Sequence, residues 1–142
     1  MFDSIEVYEL LNAGPSYGYA GAQLALSAIV HHSPRRLKSR PTVSKFINGF
    51  GRSILAGCRR STSLARLYLR KVVEHMCNFQ PTTPLYLHVD DMSNLFIHKN
   101  SSNITADLVG YATEMFQQLQ AIGLKVSEKT TIVPHTKQAK LA

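Results

Sequence analysis

A chain of 142 residues, 44% hydrophobic with six Phe and six Tyr, can bury one real core and is not a disordered tail. It holds no apolar run of membrane-spanning length and no signal-peptide pattern, and Cys58 and Cys77 lack metal-ligand spacing. An intracellular protein with reduced thiols is expected, cytoplasmic or nuclear and without a membrane partner. The net charge of +7 is concentrated. Arg35, Arg36, Lys38, Arg40, Lys45, Arg52, Arg59, Arg60, Arg66, Arg70 and Lys71 fall in one stretch without a single Asp or Glu. A solvated positive face is one reading of such a run. A surface for a phosphate backbone is the other, and the complete absence of acids favours it.

The first element in chain order is a buried, Ala- and Leu-rich helix over Tyr19–Val30, preceded by the turn-prone Asn12–Ser16 and ended by His31-His32-Ser33-Pro34. The two histidines read as a helix C-terminal turn rather than as ligands. Arg35–Ser44 alternates as a strand would, and Lys45–Leu55 reads as a returning strand that Gly49 and Gly51 would bend. Leu64, Leu67, Tyr68, Val72 and Met76 recur near helical spacing, which predicts a helix over Ser61–Met76. Pro81–Pro84 reads as a loop, followed by short strands at Leu85–Val89 and Met92–His98.

A further helix is expected with Asn103 as its cap, Gly123 as its stop and an apolar stripe of Ile104, Leu108, Ala112, Met115, Phe116, Leu119 and Ile122. Short strands at Leu124–Val126 and Thr130–Val133 precede a frayed tail over 134–142. The order predicts one α+β domain over 1–142, with helices on one face of a mainly antiparallel sheet.

The chemistry-bearing feature is Asp90-Asp91, placed between two apolar strands. Adjacent carboxylates repel, and a divalent cation with oxygen preference, Mg²⁺ or Mn²⁺, would relieve that repulsion. The alternative is a solvated turn, because Asp is a common turn former. Two-metal phosphoryl transfer needs carboxylates on rigid strands, and also a third carboxylate that the pair cannot supply.

These residues resemble the palm of reverse transcriptases of retroelement and group II intron type. Tyr86-Leu87-His88-Val89-Asp90-Asp91 looks like the family's aromatic-any-Asp-Asp motif, with His88 in the aromatic position. Ser53 to Leu64 is similar to the motif Gly, two residues, Gln-Gly, three residues, Ser, two residues, Leu. Gly57, Ser61 and Leu64 match that motif, while Ser53 and Ala56 depart from its Gly and Gln. Leu119 to Thr130 resembles the segment of helix, Gly-Leu, strand and Lys-Thr. Met1-Phe2-Asp3-Ser4 resembles the end of Asp, three residues, Ala-Phe-Asp-Ser. The segments keep the family's order along nearly the whole chain.

The resemblance implies a palm-like antiparallel sheet that, in an intact protein, adds deoxynucleoside triphosphates to a DNA primer on an RNA template. Asp90 would lead Mg²⁺ or Mn²⁺ ligation, supported by Asp91, and Lys129 would face the triphosphate. Phe2 would sit by the sugar 2′ position. Gly57 and Ser61 would shape the template floor, with Arg59, Arg60 and the basic stretch on phosphates. The family's first metal-binding Asp would lie four positions before Met1, and the fingers and thumb segments of a longer polyprotein are not in this sequence. Little polymerase activity is therefore expected from this chain alone. Two rivals stay open: a non-catalytic nucleic-acid-binding remnant, and an RNA-directed RNA polymerase palm. A half-buried His88 is expected rather than a third ligand.

Overall fold

The computed structural model describes residues 4–47, 54–55, 58–89, 91–97, 101–131 and 133. Among them the chain is α+β, with four α-helices and two small antiparallel two-stranded sheets. The expected single sheet is thus two separate hairpins among the described residues. Contacts divide the chain into two compact units, Met1–Leu69 and Arg70–Ala142.

In the first unit, helix α1 (Val7–Ala13) precedes a short 3₁₀ turn at Pro15–Tyr17 and helix α2 (Gly21–His32). The expectation of a turn at Asn12 missed α1. Its apolar Val7 and Leu10 are buried one helical turn apart, together with Ile5. Gly14 follows directly, because a Cβ there would stand 2.3 Å from Leu24 Cδ2 and 3.0 Å from the Leu10 carbonyl oxygen. A Cβ there would force the Leu24 side chain to shift, so a residue without a side chain eases the close approach of α1 and α2.

Helix α2 begins and ends two residues later than expected, with Ser33 as its C-cap. It is not a buried helix. Leu24, Ser27 and His31 face inward, while Leu26, Ile29 and Val30 are more than half exposed. An apolar composition on every side says nothing about which sides find neighbours.

The Arg35–Ser44 segment is not one strand but most of a hairpin. Strand β1 (Lys38–Ser39) pairs with β2 (Thr42–Val43) across a turn holding the cis Arg40–Pro41 bond. Pro cannot donate to a ladder, so it sits between the strands. Instead of a long return strand, Ile47 makes an isolated bridge with Arg35, and 48–53 lie outside the described residues.

Helix α3 (Ser61–Phe79) begins in this unit and ends in the next. All five positions read from its periodicity are buried, joined by Ala65 and Leu69.

In the second unit, strand β3 (Leu85–His88) pairs with β4 (Asp91–Asn94), and helix α4 spans Ser101–Ala121. Val72, Met76, Tyr111 and Met115 form the core, with Leu85, Met92, Phe96, Leu119 and Ile122 packed against it. Each such buried side chain contributes roughly 1.5–3 kcal/mol. Helix α4 starts two residues before Asn103, which therefore lies inside its first turn rather than capping it. Tyr111 takes the central position of the stripe, whereas Ala112 and Phe116 face solvent.

Gly123 does end the helix region. At φ +76° its N–H reaches the Gln120 carbonyl (2.9 Å), and Leu124 N–H returns to Leu119 (2.9 Å). These left-handed C-terminal bonds satisfy two otherwise open carbonyls. The strands expected at Leu124–Val126 and Thr130–Val133 do not form among the described residues, which run there as turn and coil. The tail from 134 lies outside the described residues.

Candidate functional site

The β3–β4 hairpin displays the acidic pair's second member. Its register pairs Leu85 with Asn94, Leu87 with Met92 and His88 with Asp91. Side chains alternate between faces, so Leu85, Leu87 and Met92 point inward while Tyr86, His88, Asp91 and Ser93 are exposed. His88 is thus exposed rather than half-buried, and Asp91 is a strand residue rather than part of the bend. The His88–Asp91 pairing leaves a two-residue connection, whose favoured turns need positive φ. Val89 has φ +57°, a conformation suited to Gly or Asn and costly, by about 1–3 kcal/mol, for a β-branched side chain. Asp90 itself lies outside the described residues.

Among the described residues, no group of three or more His, Cys, Asp or Glu could hold a metal ion. The described part of the hairpin tip offers one carboxylate, Asp91, with His88 as its cross-strand neighbour. The described donors alone therefore do not make a cation cage. Any such site has to draw on Asp90 and on a further carboxylate.

Of the template-floor residues, Gly57 and Phe2 lie outside the described residues, as do Ser53 and Ala56. Ser61 opens α3 and is buried, its hydroxyl donating to the Leu55 carbonyl and its N–H to the Cys58 carbonyl (3.0 Å). Its side chain thereby ties the loop before α3 to the helix start. Arg59 and Arg60 are exposed. Arg60 also reaches back to α2, with Nη1 at 3.4 Å from Ser27 Oγ. Lys129 is exposed in a turn, its backbone N–H donating to Ser127 Oγ (3.2 Å). No ion pair joins Lys129 to Asp91 among the described residues.

Three arrangements went unread in the sequence. The first is His31, buried at the end of α2. Its Nδ1 accepts the Leu55 N–H (2.8 Å), while Nε2 has no partner among the described residues. Burial lowers its pKa, with the nearby Arg35 guanidinium adding to the effect. It lines a cavity of about 10 Å³, about the room one water needs, together with Leu10, Leu24, Ile54 and Leu64.

The second is a pair between α3 and α4. His75 Nε2 lies 2.7 Å from Glu114 Oε1, which also accepts from Gln118 (2.9 Å). Hydrogen bonds from Gln118 and His75 hold the Glu114 carboxyl below its ordinary pKa. The third is the cation–π contact of Arg36, whose guanidinium carbon lies 3.8 Å from the centre of the Phe46 ring. A lone Phe between Lys45 and Ile47 was its only sequence signal.

No described helix is long and apolar enough to cross a membrane. Comparison of the chain with family models, with curated proteins and with solved structures gives no match.

Proposed function

We propose that this chain carries a reverse-transcriptase-like palm segment, with Asp90 and Asp91 at the place where a divalent cation, Mg²⁺ or Mn²⁺, would be held. The observation that supports this reading most is the His88–Asp91 register, in which Asp91, the neighbour of Asp90 in sequence, stands at the closed end of a short strand pair. A strained Val89 beside the pair fits a turn whose shape serves something other than stability. Support also comes from the order of the four sequence segments, from α3 opening at Ser61 and from α4 ending at Ala121, just before Gly123-Leu124. In this reading the partners are an RNA template, a DNA primer and a deoxynucleoside triphosphate. Lys129 would face the triphosphate, and Phe2, Gly57, Ser61, Arg59 and Arg60 would border the template and nucleotide.

A second reading, a non-catalytic nucleic-acid-binding remnant, is supported by the acid-free basic stretch from Arg35 to Lys71. Primer–template binding, measured by fluorescence anisotropy with and without Mg²⁺ for the wild type and Asp90→Asn, separates the two. The palm reading predicts tightening by metal in the wild type and none in the variant. Binding indifferent to both metal and mutation would leave only the remnant.

A further inference from the structure

Among the described residues the β1–β2 hairpin buries neither face. Its four paired residues are all exposed, as are Leu37, Phe46 and Ile47. A two-stranded ribbon without a packed face is marginal in water, so this one gains most from something that covers it from outside. Its charge indicates what. No acidic residue occurs anywhere between Glu9 and Glu74.

The register aligns the cations. Lys38 stands opposite Val43, so alternation puts Arg36, Lys38 and Lys45 on one face, with Arg40 in the turn. Ser44 N–H still bonds the Leu37 carbonyl (2.9 Å), yet Arg35 pairs with Ile47 through two bonds of 2.8 and 2.7 Å. Arg36 therefore faces two residues, Lys45 and Phe46, which is the count of a β-bulge. The bulge supplies the extra residue whose ring meets the Arg36 guanidinium, while Phe46 stays 61% exposed. A flat, exposed aromatic–guanidinium pair set among cations is what unpaired bases stack on while their phosphates are neutralised.

We infer that the hairpin spanning Arg35–Ile47 is a binding element for single-stranded nucleic acid. Phe46 and Arg36 take a base, and Lys38, Arg40 and Lys45 take the flanking phosphates. The element shares with the proposed function only its nucleic-acid partner and needs no metal. Paired bases keep their faces covered by their neighbours, so a duplex offers the hairpin phosphates but no ring to stack on.

The test is fluorescence anisotropy in EDTA, which removes the metal-dependent question. The full chain is titrated against a labelled 12-nucleotide single-stranded RNA, the same sequence as a duplex, and phosphatidylserine vesicles. The single strand is expected to bind more tightly than the duplex. Phe46→Ala should weaken single-strand binding by roughly 5- to 100-fold, the factor for one lost stacked base, with a smaller effect on the duplex. Phe46→Trp should keep it, and Arg40→Glu should weaken both and flatten the salt dependence. Circular dichroism checks that each variant folds. Unchanged single-strand affinity in a folded Phe46→Ala, a preference for duplex, or tighter vesicle binding that Phe46→Ala abolishes would each overturn the inference.

Discussion

The two hairpins among the described residues are alike in topology and opposite in surroundings. β3–β4 lays Leu85 and Met92 on a core of Val72, Met76, Tyr111 and Met115, leaving its other face to Tyr86, His88, Asp91 and Ser93. β1–β2 has no such support among the described residues, and exposed Arg36, Lys38, Arg40 and Lys45 lie on or beside it. A hairpin anchored on one face can hold a charged residue such as Asp91 at its closed end, because packing opposes the electrostatic cost. A hairpin exposed on both faces has no internal source of order to offset such a cost. Its charges make sense against an outside polyanion.

The largest effect should come from removing what β3–β4 rests on. Met76 is fully buried, so Met76→Ala should cost about 2–5 kcal/mol in urea unfolding and loosen β3–β4 with it. If that variant keeps wild-type stability, the anchored hairpin is not anchored where the core places it. The smallest effect should come from the opposite case. Val43 is 47% exposed on β2, and Val43→Thr should shift stability by no more than about 0.5 kcal/mol. A loss comparable to that of Met76→Ala would mean that β1–β2 has a packed face after all.

Helices were the most legible part of the sequence, because burial on one side leaves a period. Leu64, Leu67, Tyr68, Val72 and Met76 gave α3, and Gly123 marked the end of α4 by its backbone freedom alone. Helix α1 was hidden because Asn12 near its C-terminal end and Gly14 at its C-cap are also turn formers. The all-round exposure of β1–β2 could not be read, since alternation of Leu, Lys and Arg looks the same with or without a covering layer. Of the candidate site, Asp90 lies outside the described residues, while the hairpin that carries Asp91 was legible from its flanking strands. The one-residue shift that makes Asp91 a strand residue was not, because register depends on the turn. The Arg36–Phe46 contact depends on a bulge, and the sequence carries no spacing that announces one.

The central claim is that the β3–β4 tip holds a divalent cation, and Mn²⁺ offers the most direct probe of it. Paramagnetic Mn²⁺ titrated into the ¹⁵N-labelled chain should broaden the amide signals of His88, Val89 and Asp91 first, and Asp90→Asn should abolish that selectivity. Uniform broadening across the chain, or selective broadening that survives Asp90→Asn, would contradict it.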